Sequence, residues 1–187
     1  MKKEHIKLIV KFVLIVLFIV FVFWVNRIAV GNGMIMNLAS RFGYIGILLV
    51  SAISGFNLLV PIPIITFFPF FLEAGFHPVI TLCVIAFGMT LGDLLGFLIG
   101  DTSREVYKPK SKKIIARLEA LRDKHHAFPL VFMFLYASFA PIPNELVVVP
   151  LAFLGFRMWK VMLAVFFGNI IFNTLFAFSI VQAFQLF

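Results

Sequence analysis

The feature that most limits the possible folds of this chain is a series of apolar runs without charge, several of them about as long as a bilayer is thick. A helix needs roughly 20 apolar residues to cross the hydrocarbon core. Of the 187 residues, 63% are hydrophobic and 26 are phenylalanine, which is more apolar surface than a soluble domain of this size can bury. The sequence therefore predicts an all-α integral membrane protein.

The first apolar run, residues 8–25, follows a cluster of lysines and has two interpretations. It fits the hydrophobic region of a signal peptide, with the small-x-small triplet 29–31 as a cleavage site. It also fits an uncleaved transmembrane anchor over residues 1–31 with a cytoplasmic N-terminus. Asn26 and Arg27 stand between the apolar core and the triplet, which favours the anchor.

Two stretches built on Pro-Ile-Pro lie 80 residues apart. "PIPIITFFPFFLEAGF" begins at Pro61 and "PIPNELVVVPLAFLGF" begins at Pro141. The same offset relates eight pairs: Pro61 and Pro141, Ile62 and Ile142, Pro63 and Pro143, Gly75 and Gly155, Phe76 and Phe156, Phe87 and Phe167, Gly88 and Gly168, and Asp93 and Asn173. A constant offset shared by prolines, glycines and a polar position predicts two copies of one unit, residues 43–100 and 128–187.

Each predicted unit contains an apolar segment, a Pro-Ile-Pro break, a short apolar arm and a long apolar span. Proline removes a backbone donor and disfavours helix at the preceding residue. The short arm 64–72 cannot cross about 30 Å of hydrocarbon as a helix. We therefore expect a re-entrant hairpin that turns at Pro61 and Pro63 in one unit and at Pro141 and Pro143 in the other. Such a break needs cover from protein or a water-filled cavity.

The positive charges predict the orientation of the two units. With a cytoplasmic N-terminus, all of the 16 lysines and arginines except Arg27 and Arg41 fall on the cytoplasmic side, as the positive-inside rule requires. The two units then have opposite orientations, which is an inverted-topology repeat in a multi-pass protein of the plasma membrane. Hairpin arms that all cross fully would give the same charge distribution, so this alternative stays open.

The segment between the units, residues 101–127, is strongly basic and contains "KKIIARLEALRDK". Its apolar residues share one helical face, so it is expected to be an amphipathic helix on the cytoplasmic surface, with Lys112, Lys113 and Arg117 at lipid headgroups. A solvated linker helix is the alternative. Because the membrane accounts for the basic excess, nucleic acid is not an expected partner.

Asp93 is a candidate functional residue, because a carboxyl group inside an apolar span costs free energy of insertion and usually serves a function. It lies in "GMTLGDLLGFLIGD", beside a ridge of small residues suited to close helix packing. The ridge consists of Gly88, Gly92, Gly96 and Gly100. The alternative is a structural hydrogen bond from Asp93 to Asn173 or Thr174 of the other unit.

Glu145 and its neighbour Asn144 follow the second Pro-Ile-Pro directly. At a polar hairpin tip, Glu145 is suited to bind a cation or exchange a proton. The alternative is that Asn144 caps the helix that begins there. No hydrolase, kinase or metal-ligand motif occurs, so neither an enzyme nor a metal or cofactor site is expected.

Taken in order, the two proline-broken segments, the glycine-rich span and the basic stretch resemble the DedA family, also called SNARE-associated or VTT-domain proteins. The resemblance covers about residues 43–180. It implies a transporter or flippase that moves phospholipid or undecaprenyl phosphate with proton coupling; eukaryotic relatives act as scramblases.

The chain departs from the family at two places. Ile64 and Ile65 stand where many bacterial members carry acid in the first segment, and Ser138 and Asn144 stand where those members have arginines. The candidate substrate or ion-binding residues are Glu145, Asn144, Asp93, Asn173 and Ser138.

The leading functional prediction is translocation of a lipid or lipid-linked phosphate, with membrane lipids and protons as partners. One alternative is a membrane organiser that binds partner helices and transports nothing. Another is an ion-coupled transporter of small solutes. A homo-oligomer is compatible with all three.

Overall fold

The computed structural model describes Val13, Leu17, Val20 and Phe21 of the N-terminal run, and then residues 24–56, 64–106 and 127–186. Every regular element in these residues is helical, and three helices are long and apolar enough to cross a membrane. The described part of the chain is therefore all-helical, and its three long apolar helices are consistent with the membrane-embedded protein that the sequence predicts.

Residues 24–31 are helical and are followed by six α-helices. These are α1 (Gly33–Gly55), α2 (Phe68–Glu73), α3 (Pro78–Val106), α4 (Ala127–Phe139), α5 (Glu145–Phe153) and α6 (Met158–Leu186), and a 3-10 turn (Ile64–Phe67) leads into α2. The three candidate spans are Gly33–Gly55, Pro78–Arg104 and Met158–Gln182.

Some predicted features lie outside the described residues. They are the first proline break at Pro61 and Pro63, the headgroup residues Lys112, Lys113 and Arg117, and most of the predicted anchor. The part of the anchor that is described packs into the fold. Asn26 is fully buried and donates a hydrogen bond of 2.9 Å to the carbonyl of Thr66, and Ala29 belongs to the same apolar core as Ile64.

Helix α1 is divided by Gly43. Asn32 caps the start of the helix, since its Oδ1 accepts hydrogen bonds from the amides of Met34 and Ile35 at 3.0 and 3.3 Å. Gly43 has φ 57° and ψ −147°, a conformation that is essentially confined to glycine. The straight helix after the kink, residues 44–55, is only about 18 Å long.

That second part of α1 runs parallel to α3 and ends at its middle. Near the start, the amide of His77 donates a hydrogen bond of 3.0 Å to the hydroxyl of Tyr44. At the other end, a Cβ placed on Gly92 would lie 2.5 Å from the carbonyl carbon of Gly55. The arm therefore covers about half the length of α3.

Helix α5 packs along the other half of α3, also in parallel. Gly96 lies against the side chain of Glu145, and a Cβ on Gly100 would lie 2.5 Å from the carbonyl oxygen of Val149. The four glycines of the predicted ridge thus make close helix contacts, divided between α1 and α5. Their lack of side chains lets both helices approach the α3 backbone.

Helices α2 and α5 end in the same way, 80 residues apart. Gly75 and Gly155 have φ of 86° and 77°. The next amide, of Phe76 or Phe156, donates to the carbonyl five residues earlier at 3.0 or 3.1 Å, which is a Schellman ending that favours glycine. The helices that follow, α3 and α6, both contain 29 residues.

Two apolar cores hold the helices together. One joins residues 24–31, α1, α2 and the 3-10 turn to the first half of α3 and the end of α6; the other joins α4 and α5 to the second half of α3 and the start of α6. The long helices α3 and α6 also pack against each other. Buried polar side chains lie where they cross.

Candidate functional site

Five polar side chains are almost fully buried where α3 and α6 cross and where α5 begins. None exposes more than 6% of its surface, and they are Asp93 on α3, Asn144 and Glu145 at the start of α5, and Asn169 and Asn173 on α6. Buried polar groups are costly unless they are paired, so their partners decide what this site can do.

Asp93 is the centre of a hydrogen-bond network. Its Oδ2 accepts from the Nδ2 atoms of Asn144 and Asn169, both at 3.1 Å. Asn144 also donates to the Oδ1 of Asn169 at 3.1 Å, and Asn169 donates to the hydroxyl of Thr90 at 3.3 Å. Three segments distant in sequence are therefore tied to one carboxyl oxygen.

The two carboxyl groups of the site are incompletely paired. The other oxygen of Asp93, Oδ1, is buried and has no hydrogen-bond partner among the described residues, and neither has either oxygen of Glu145. Glu145 lies against Gly96, which is one turn of α3 after Asp93. A buried carboxyl group that has no partner is stable only if it binds a proton or a cation.

The interpretation of Asn144 as a capping side chain is wrong. Asn144 does occupy the residue before α5, and its carbonyl accepts from the amides of Val147 and Val148 at 2.9 Å, but its side chain makes no capping hydrogen bond. The reason is geometric: Asn144 has helical backbone angles (φ −61°, ψ −27°) rather than the extended ones of a capping residue, and its Nδ2 donates to Asp93 and Asn169 at the crossing of α3 and α6.

Asn173 has different partners from those predicted. Its Nδ2 donates to the Sδ of Met89 at 3.4 Å and to the carbonyl of Asn169 at 2.7 Å, whereas Asp93 bonds to Asn169. Because α3 and α6 run antiparallel, Asp93 meets the residue one turn before Asn173. Thr174, the other predicted partner, bonds to its own helix.

Asn169 is a site residue that the sequence prediction missed. The signal was present, because Asn169 and Asn173 are spaced four residues apart in a largely apolar helix and so share one face. Polar residues on one face of a membrane helix indicate a packed or functional surface.

Ser138 is not brought into the network. It is buried, but its hydroxyl donates to the carbonyl of Phe134 at 2.7 Å, a local bond within α4. Glu73, at the end of α2, is exposed. Cys83 is exposed on α3.

A cavity of about 230 Å³ adjoins the network on the side of the second Pro-Ile-Pro. Its walls come from α3, the end of α4, the break and α6. They are formed by Met89, Ala137, Ala140, Pro141, Ile142, Pro143, Asn144, Asn169, Phe172 and Phe176. Asn144 and Asn169 thus separate the cavity from Asp93.

Comparisons with protein-family models, with curated proteins and with solved structures found no match to this chain.

Proposed function

We propose that this protein moves a lipid or lipid-linked phosphate across the plasma membrane and that proton exchange at Asp93 and Glu145 drives the movement. The observation that carries the proposal is the buried, incompletely paired carboxyl pair at a broken helix beside a cavity. Transporters place coupling sites at such breaks near the middle of the bilayer. The resemblance to the DedA family supports the same class of function.

The inverted repeat is part of this proposal, and two contacts support it. Met89 contacts Asn173, and Asp93 contacts Asn169. An offset of 80 converts one pair into the other with the units exchanged, which is the pattern of a two-fold axis between α3 and α6. The identical endings of α2 and α5 are consistent with the same relation.

The re-entrant hairpins are supported by the lengths and levels of the arms. The arm 44–55 begins level with the start of α3 and reaches only its middle. Helix α5 begins at that middle level, with Asn144 against Asp93, and runs to the end of α3, where the guanidinium of Arg104 lies against Gly155. If α3 crosses the bilayer, each arm covers about half of it, and the two hairpins enter from opposite sides.

The network suggests how protonation moves the second hairpin. An ionised Asp93 accepts two amide hydrogen bonds that hold Asn144 on α3 and Asn169 on α6 in place. Protonation removes the charge that strengthens these bonds, and charge-assisted hydrogen bonds are roughly twice as strong as neutral ones. Helix α5 is then freer to shift against α3, which opens the cavity to one side of the membrane.

Ion-coupled transport of a small solute is the second candidate, and the cavity favours it. A volume of about 230 Å³ is below the range typical of drug-sized ligands, about 300–1,000 Å³, so it holds a headgroup or a small solute but no whole lipid. In the leading proposal only the headgroup enters the cavity, and the acyl chains stay in the bilayer.

Reconstitution with labelled lipids tests the proposal. Protein in liposomes should move the headgroups of acyl-labelled phospholipids between leaflets faster than protein-free liposomes do. Asp93→Asn should slow this movement, whereas Asp101→Asn, near the end of the same helix, should not. Headgroups that stay in their leaflet while a small solute accumulates would favour the second candidate. If neither lipid headgroups nor a small solute move, the remaining candidate is a membrane organiser that transports nothing.

A further inference from the structure

We infer that the cavity beside the second Pro-Ile-Pro binds an ammonium group, either of an amine-bearing lipid headgroup or of a free organic amine. The inference rests on the proposed function for the choice of substrate, but it follows from the walls of the cavity. It favours an amine-bearing phospholipid over undecaprenyl phosphate.

The walls of the cavity offer acceptors where a ligand can reach them. The Nδ2 of Asn144 donates to Asp93 and Asn169, so the Oδ1 is the atom through which this wall side chain can accept a hydrogen bond. That oxygen is left for a ligand that donates. The residues of the break also line the cavity, and two of them, Pro141 and Pro143, have no N–H to donate to a ligand. An ammonium group donates only, so it suits such a wall.

The charge around the cavity has the sign that an ammonium group needs. Asp93 lies directly behind Asn144 and Asn169, and Glu145 is next to Asn144 in the chain. Among the described residues that line the cavity there is no lysine, arginine or histidine. Whenever Asp93 or Glu145 is ionised, a phosphate in the cavity would meet a like charge with no balancing cation among the lining residues.

Two aromatic rings complete the wall. Phe172 and Phe176 line the cavity and are stacked, with ring centroids 5.5 Å apart and planes inclined by 22°. Aromatic faces attract organic cations, and this attraction is a general means of recognising alkylated ammonium groups. A cavity built from acceptors, aromatic rings and nearby carboxyl groups is therefore suited to an ammonium ion.

Binding of radiolabelled ethanolamine tests the inference. The full chain is placed in nanodiscs of phosphatidylglycerol, a lipid without an amine, and ethylammonium, glycerol and inorganic phosphate are used as competitors. Ethanolamine should bind saturably, and ethylammonium should displace it while glycerol and phosphate do not. Saturable binding of labelled phosphate in place of ethanolamine would overturn the inference, as would no saturable binding of ethanolamine.

Two pairs of variants locate the binding. Ile142→Lys puts a cation on a half-exposed wall residue and should weaken ethanolamine binding about tenfold or more, whereas Leu146→Lys, exposed on α5 and outside the cavity wall, should not. Phe176→Leu should weaken it by about fivefold through loss of the ring face, while Phe178→Leu, an exposed phenylalanine on the same helix, should have no effect. Equal effects within each pair would contradict a site in this cavity.

Two further measurements identify the source of the ammonium group and distinguish this inference from the proposed function. If phosphatidylethanolamine in the nanodisc abolishes ethanolamine binding, the natural ligand is a lipid headgroup; if binding persists, it is a free amine, and the ammonium site stands in both cases. Ethanolamine binding without lipid movement would reject the proposed function alone. Lipid movement with phosphate binding in the cavity would reject this inference alone.

Discussion

At the scale of single residues, Glu145 is distinguished by two buried carboxyl oxygens that have no hydrogen-bond partner in the described part of the chain. Asp93, by contrast, uses one oxygen to hold two asparagines. A transporter needs one group that changes its charge and others that register the change. In the proposed mechanism both Glu145 and Asp93 exchange protons, and the bonds from Asp93 to Asn144 and Asn169 transmit the change to α5 and α6.

Replacement of Glu145 by glutamine tests its role as a proton carrier. Glutamine keeps the shape of the side chain against Gly96 but cannot release a proton, so the rate of lipid movement should lose its dependence on pH. The rate is measured in sealed liposomes across a series of pH values. Glu73→Gln, at an exposed glutamate, is the control and should retain the wild-type dependence. An unchanged pH curve for Glu145→Gln would leave Asp93 as the remaining carrier.

A double-mutant cycle tests whether Asn144 acts through Asp93. Asn144→Ala removes a donor to a buried carboxyl group and should lower the free energy of unfolding by about 1–3 kcal/mol. In a background with Asp93→Asn the same change should cost less, with a coupling energy of about 0.5–3 kcal/mol. Unfolding in mixed micelles gives both values. A cost of about 1 kcal/mol that Asp93→Asn leaves unaltered would restore a simple capping role for Asn144.

At the scale of helices, α3 organises the molecule because its glycines let two other helices lie on its backbone. Gly88 and Gly92 receive α1, and Gly96 and Gly100 receive α5. The same helix therefore contacts both the arm that precedes the first proline break and the helix that begins with Glu145. In the proposed mechanism, α5 shifts along this row of glycines on α3.

Gly92→Leu should disrupt this packing. A side chain there would meet backbone atoms of Ala52 and Gly55 at 2.5 Å, and backbone cannot move aside cheaply. The expected loss is about 1–3 kcal/mol or more in the free energy of unfolding, measured in mixed micelles. Gly33→Leu is the matched control, since nothing lies within 4 Å of a Cβ at that position. Equal stability of the two variants would show that α1 does not pack on α3 as described.

The elements were predictable from the sequence to the extent that the information is local. Uncharged apolar runs mark the helices and Pro141 and Pro143 mark the break. The partners of the buried side chains were not, because they depend on how α3 crosses α6. That crossing pairs Asp93 with Asn169. Asn144 looks like a cap in sequence because an asparagine directly before a helix can accept from the helix amides through its Oδ1 or donate to another helix through its Nδ2.

At the scale of the whole molecule, the depth of the second Pro-Ile-Pro in the bilayer distinguishes a re-entrant hairpin from arms that cross fully. Ile142 is half-exposed at the cavity, and Arg157 is exposed at the turn between α5 and α6. If α5 is one arm of a re-entrant hairpin, Ile142 lies near the middle of the bilayer. If every arm crosses fully, Ile142 lies at the surface opposite Arg157.

Spin labels on cysteines at these two positions measure the depth, after Cys83 has been replaced by alanine. Accessibility to oxygen and to a water-soluble nickel chelate should place the label at Ile142 deep in the bilayer and the label at Arg157 at a surface. His77, which the 80-residue offset relates to Arg157, should lie at the opposite surface. A surface position for Ile142 would contradict the re-entrant hairpin.

The most direct test of the central claim, that proton exchange drives lipid movement, follows both in one vesicle. Liposomes with an internal pH-sensitive dye and acyl-labelled phosphatidylethanolamine receive an imposed pH gradient, and lipid movement and internal pH are recorded together. The wild-type protein should move the lipid faster with the gradient than without it and should dissipate the gradient only when the lipid is present. A variant with Asp93→Asn and Glu145→Gln should do neither. Lipid movement at the same rate with and without the gradient, or none above protein-free liposomes, would contradict the claim.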